Sequence, residues 1–183
     1  MPKSLLAPLA IAAAIAAVAP AATAACPAEP FVRNAGAAMM GAARSGSPTA
    51  FAGVASRYTD MHAIAIFALG QHRGNLPKAR EAEYVSLTRG FVGRFMAKHA
   101  DRFAGVDMSV TDCAGSGGQV TVNARLSGGQ KLVFKLHKTR DGYRVSDLSV
   151  SSVWLAQRLR SNFVAVLQRN DGDVDALFKY LKG

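Results

Sequence analysis

The sequence predicts an α+β domain: a four-stranded antiparallel sheet with five to six helices packed on it and an apolar pocket between the layers. Two observations predict this. Apolar residues recur at helical spacing from residue 29 to 103 and again from 151 to 183, and between those stretches the period drops to two. Helices and strands therefore segregate along the chain, the pattern of an α+β domain rather than an alternating α/β one. The chain has 183 residues and no internal repeat, enough to bury one core without metals or a dense disulfide network.

The first 24 residues stand apart. Lys3 is followed by an apolar run from Leu5 to Ala19, then Pro20 and the small residues Ala22-Thr23-Ala24. A charged start, an apolar stretch and an Ala-x-Ala site are the pattern of a secretory signal peptide, with cleavage expected after Ala24 and an uncleaved anchor as the alternative. The run is about 15 residues, short of the roughly 20 that span a bilayer. Residues 25–183 are then a single exported domain. Net charge is +10, and Lys3 is the only charge in the leader. Inside a cell such a balance would suggest nucleic acid. For an exported chain the available polyanions are lipid headgroups, surface polymers and acidic protein faces.

Residues 29–44 read as the first helix, with Phe31, Val32, Ala35 and Met39 in phase. Ser47-Pro48 is a cap followed by proline at the first position of a second helix carrying Phe51, Val54 and Tyr58. Asp60 caps a third, which Gly70 stops, and 71–77 reads as a polar loop. The fourth helix is expected over 77–103, with apolar residues on about half its circumference, more than the stripe of a simple surface helix. Gly90 and Gly93 lie opposite that arc, where close packing of another helix accounts for them.

Strands are expected over Val106–Cys113, 119–126, 131–137 and 143–150. The turns between them contain Gly115-Ser116-Gly117-Gly118, Ser127-Gly128-Gly129 and Asp141-Gly142. Tyr143 and Val145 have one parity and Leu148 and Val150 the other, which places a bulge near Asp147. Ser151 or Ser152 caps a fifth helix and Asp173 a sixth.

Cys26 and Cys113 are the only cysteines, both beyond the cleavage site. An even pair in an oxidising compartment predicts one disulfide. It closes a loop of about 90 residues, for which chain entropy gives roughly 4–5 kcal/mol as an upper figure. A lipid-modified Cys26 is disfavoured because Thr23 stands where a Leu-like residue is needed.

Chemistry-bearing constellations are sparse. His62, His72, His99 and His137 fall in different elements, and two distant cysteines make no zinc box. The glycine run at 115–118 precedes a strand, so it is no phosphate cradle. Asp147, between Ser146 and Leu148 on a half-buried strand, reads as a structural hydrogen-bond acceptor. The chain is therefore not expected to be an enzyme. What remains is a sheet with one apolar face and helices with more apolar surface than one packing layer uses, which suggests a concave pocket.

In its C-terminal third the sequence resembles the MlaC family of periplasmic phospholipid-binding proteins, also called the toluene-tolerance or ABC-transporter auxiliary family. The resemblance rests on Tyr143-Arg144-Val145-Ser146-Asp147-Leu148-Ser149-Val150 and, most specifically, on Gln168-Arg169-Asn170-Asp171-Gly172-Asp173-Val174-Asp175-Ala176-Leu177. Arg57-Tyr58-Thr59-Asp60 with Ile66-Phe67-Ala68-Leu69-Gly70 resembles the family's helix pair before its long helix. Two departures stand out: Ser151-Ser152 replaces a usual Glu-Gly pair, and Trp154 stands where a small residue is usual.

The resemblance implies a fold of NTF2-like appearance and a monomeric carrier, without a resident cofactor, that binds lipid as cargo. The cargo would be a phospholipid or a hopanoid-type lipid. The partners would be an inner-membrane ABC transporter complex and an outer-membrane lipoprotein complex. On that reading Val122, Ala124, Leu132, Phe134 and Leu136 form the pocket floor, and Phe67, Phe91, Phe95, Trp154, Leu155 and Phe163 its walls. Lys98 and Arg102 stand at the mouth, where they can snorkel beside a phosphate. An exported small-molecule binder and a basic interaction domain without cargo are the other classes the residues allow.

Overall fold

The computed structural model describes residues 26–115 and 118–183; the proposed signal peptide lies outside the described residues, as do Ser116 and Gly117 of the first hairpin turn. Helix α1 (Glu29–Ser45) stops at Gly46, whose left-handed φ of 60° lets its N–H reach the Ala42 and Ala43 carbonyls. Helix α2 (Pro48–Tyr58) starts as the sequence predicts, with the Ser47 side chain accepting from the Ala50 N–H. Helix α3 (Met61–Ala68) is capped by Asp60, whose Oδ1 accepts from the Ala63 N–H at 3.0 Å.

Helix α4 (Glu81–Lys98) is shorter than the expected 77–103. Pro77 is extended, and 3₁₀ turns occupy Lys78–Arg80 before the helix and Ala100–Arg102 after it. A 3₁₀ turn keeps residues three apart on one side, so the apolar periodicity runs on past the true helix ends. The expected loop at 71–77 is likewise mostly a 3₁₀ turn, Gly70–Asn75.

The sheet has five antiparallel strands in sequential order, not four: β1 (Met108–Ala114), β2 (Gln119–Leu126), β3 (Lys131–Thr139), β4 (Gly142–Val150) and β5 (Val153–Trp154). The fifth arises because Ser151 and Ser152 both adopt positive φ, 47° and 70°. Two consecutive left-handed residues make a tight primed hairpin turn, and Ser-Ser gives none of the Asn-Gly signal such turns usually carry. These serines therefore do not cap helix α5 (Leu155–Arg169). Its cap position is Trp154, whose side chain makes no capping bond.

The expected bulge is present. Lys135 pairs with Asp147 and Leu136 with Val145, so Ser146 is the extra residue, and it exchanges the faces between Val145 and Leu148. A second bulge, at Thr111 between Val110 and Asp112, has no counterpart in the sequence pattern. The chain ends in helix α6 (Val174–Lys182), capped by Asp173. The Cys26–Cys113 disulfide is formed and ties the start of α1 to β1.

Apolar side chains gather in three clusters rather than one. The first joins α3, α4, α5 and α6 around Tyr84, Phe163, Leu177 and Phe178. There the Tyr84 hydroxyl donates to the Ala65 carbonyl at 2.8 Å, and burial pushes its phenol well above the ordinary range. The second lies on the inner sheet face with Ala28, the residue before α1, and Val32 of α1. The third joins the end of α1 to α2 and Ala100. Gly93 of α4 is buried where α2 crosses: an added Cβ would overlap the Pro48 carbonyl oxygen and lie 3.0 Å from Ala52 Cβ. Helix packing thus explains Gly93, whereas a Cβ at Gly90 would meet only the Arg94 side chain.

Candidate functional site

Three separate clusters leave a space where they face one another. It is a cavity of about 300 Å³ between the inner face of the sheet, helices α1, α2 and α4, the start of α3, and the first turns of α5. The pleat supplies its floor: Leu126, Leu132, Phe134, Val145, Leu148 and Val150 point the same way because the Ser146 bulge resets the parity of β4. Ala35 and Met39 of α1, Phe51 and Val54 of α2 and Phe95 of α4 close it from the helical side, and Leu155 and Leu159 form an end wall. Phe95 is 49% exposed, Arg102 is also exposed, and the His99 ring meets the Phe95 ring edge at 4.9 Å. All three line the cavity, so its mouth lies at the C-terminal end of α4.

The structure brings five of the expected residues to this wall: Phe95, Leu132, Phe134, Leu155 and Arg102. Val122, Ala124 and Leu136 share the inward face of the sheet but are buried in the cluster with Ala28 and Val32, away from the void. Phe91 and Phe163 stand edge-to-face, with centroids 5.6 Å apart, within the helical cluster. Phe67 is on the outer surface in a separate depression, beneath the Arg160 guanidinium at 5.1 Å. Trp154 packs under the Lys135 ammonium at 4.1 Å, on the other side of the sheet from the cavity. Lys98 is exposed and not on the wall. Periodicity says which side of an element points inward, but not which neighbour it meets there.

Asp147 is the one carboxylate on the wall. Its Oδ1 accepts from the Leu148 N–H at 2.8 Å and from the Ala156 N–H at 3.0 Å. Ala156 is in the first turn of α5, so Asp147 does from β4 the capping that Trp154 cannot. The structural reading of this residue is the one its geometry supports. Among the described residues no group of three or more His, Cys, Asp or Glu side chains is placed to hold a metal ion. Sequence reasoning passed over most of the wall, including Phe51, Val54, Leu126, Val145 and Leu159 and the methionines Met39, Met40, Met61, Met96 and Met108. A cavity of this kind can take up an apolar body and leave a polar end at Arg102 and His99.

Comparison with known proteins gives two findings. The sequence model of the family described as MlaC protein matches residues 40–183. Among solved structures, a phospholipid-binding protein from Ralstonia solanacearum in complex with a phospholipid shares the fold, with a TM-score of 0.72 at 15% identity. That likeness covers 85% of this chain and 94% of the other. No curated protein matches the chain.

Proposed function

Because the chain belongs to the MlaC family, we propose that it is an exported lipid carrier, released from its leader after Ala24 and working in the periplasm. It holds the acyl chains of a phospholipid, or of a related lipid, in the cavity and presents the headgroup at the mouth. It exchanges that lipid between an outer-membrane lipoprotein complex and an inner-membrane ABC transporter. The cavity is the observation that carries the reading: a void of about 300 Å³, walled almost wholly by apolar side chains, with Arg102 and His99 at the opening.

The energetics favour such a device. Each exposed methylene costs about 0.8 kcal/mol, so about ten of them in water cost about 8 kcal/mol, which a dry cavity removes. In this reading Phe95, Leu132, Phe134 and Leu155 touch acyl chains and Arg102 stands beside the phosphate. Val122, Ala124, Leu136, Phe91 and Phe163 support the wall from behind. No bond is made or broken.

Native mass spectrometry of the mature protein, followed by lipid extraction, tests this. The expected result is one acyl-chain lipid per protein, released by denaturation. Protein that is lipid-free and takes up nothing from phospholipid vesicles would overturn the reading.

A further inference from the structure

The chain contains six methionines, and apart from Met1 every one lines the cavity: Met39, Met40, Met61, Met96 and Met108. No other large apolar residue is confined in this way. The phenylalanines are spread over the cavity wall, the buried clusters and, at Phe67, the outer surface, and the helical cluster around Tyr84 and Phe178 contains no methionine. The five come from four sides of the void: α1, the start of α3, α4 and β1. Met108 reaches across to α1, where its Sδ would lie 3.2 Å from a Cβ added to Gly36, so the missing side chain leaves it room to lie there.

Methionine is unbranched, has three rotatable side-chain bonds and a polarizable sulfur, and can repack around a changed neighbour. A rigid apolar pocket distinguishes one methylene by about tenfold or more. From the confinement of the methionines we infer that this cavity is built to accept acyl chains of differing shape, straight, kinked or methyl-branched, and not one molecular species. This rests on the carrier reading above and adds the breadth of its substrate class. The fixed parts of the wall set how much chain enters. The methionines fill whatever the chain leaves empty.

The test uses delipidated mature protein and vesicles containing three phosphatidylglycerols in equal amounts, differing only in chain shape: straight saturated, cis-monounsaturated and methyl-branched. Bound lipid is read by mass spectrometry. The wild-type protein should load all three within about threefold of one another, well inside the discrimination of a rigid pocket. A variant carrying Met39→Leu, Met40→Leu, Met96→Leu and Met108→Leu keeps volume and hydrophobicity but loses adaptability, and should prefer one shape by about tenfold or more. Replacing methionine throughout with norleucine, which is equally flexible, should leave the breadth intact. Tenfold selectivity in the wild-type protein, or undiminished breadth in the leucine variant, would overturn the inference even if that variant is studied only as its single substitutions. Failure to load any of the three lipids would instead count against the carrier reading itself.

Discussion

Two glycine-to-alanine substitutions, at Gly36 and Gly93, should have opposite outcomes although both glycines are buried in helices. In each case alanine gains about 0.5–1 kcal/mol by restricting the unfolded chain and favouring the helix. What the new methyl meets decides the rest. At Gly93 it meets the Pro48 carbonyl oxygen and the Ala52 methyl, and neither can yield unless α2 moves off α4. Overpacking of that kind costs about 1–3 kcal/mol, occasionally more, so Gly93→Ala should lose about 1–2 kcal/mol net. At Gly36 the methyl meets Met108 Cε and Sδ, the free end of a flexible side chain that borders a void. Met108 can swing into the cavity, and Gly36→Ala should remain within about 1 kcal/mol of wild type. That swing has a functional cost, because the displaced thioether occupies space offered to cargo. Urea unfolding reads the stabilities, and native mass spectrometry reads the lipid load, which should fall in Gly36→Ala despite its normal stability. A Gly36→Ala protein destabilised as much as Gly93→Ala would refute the reasoning, as would one with normal stability and an undiminished lipid load.

Other consequences can be measured on the same preparations. Asp147→Ala leaves the Leu148 and Ala156 amides without their charged acceptor and should cost about 2–4 kcal/mol in urea, with Asp147→Asn recovering at least half. Tyr84→Phe should cost about 1 kcal/mol near neutrality by removing the bond to Ala65. It should also flatten the alkaline limb. Burial raises the folded phenol above its ordinary value near 10, so the stability it contributes is complete below that pH and is lost as pH rises beyond it. Urea midpoints at about pH 8 and about pH 11 should therefore differ less in the Phe variant. Replacing Cys26 and Cys113 together by serine should cost about 2–5 kcal/mol, and lipid should escape faster because α1, part of the cavity wall, loses its tether to β1.

The sequence made the fold legible wherever a local rule acts alone. Ser47, Asp60 and Asp173 cap helices as their positions predict, the alternation in β2 and β3 identifies the inward side chains, and the parity switch in β4 locates the Ser146 bulge within one residue. It was not legible where two rules act together. The pattern of α4 runs past its ends because 3₁₀ turns carry the same apolar phase, and Ser151-Ser152 carries the signal of a cap as well as that of a turn because serine serves both purposes. The site shows the same division. Leu132 and Phe134 reach the cavity whereas Val122 and Leu136, on the same inward face, do not. The start of α1 separates them: Ala28 and Val32 pack in one cluster with Val122 and Leu136, and the Cys26–Cys113 disulfide, between residues 87 positions apart, ties that end of the helix to β1. A count of six methionines carries no signal in the sequence, and their placement acquires meaning only when four elements converge on one void.

The edges of the sheet bear on how the protein behaves when crowded. Unpaired strand edges are where β proteins add to one another and aggregate. Along β1 an incoming strand meets the kink at Thr111 and the covalent cross-link at Cys113, which break up the straight ladder it would need. Beyond β4 it finds β5, only two residues long, and then the chain at Thr59 and Asp60, where the Asp60 N–H already donates to the Val145 carbonyl at 2.9 Å. The excess of basic residues, +10 over the whole chain with only Lys3 of it in the leader, adds mutual repulsion to these blunted margins. A domain that keeps a hollow apolar interior partly open to water is especially exposed to self-association, and here the topology itself denies neighbouring copies a template for growth.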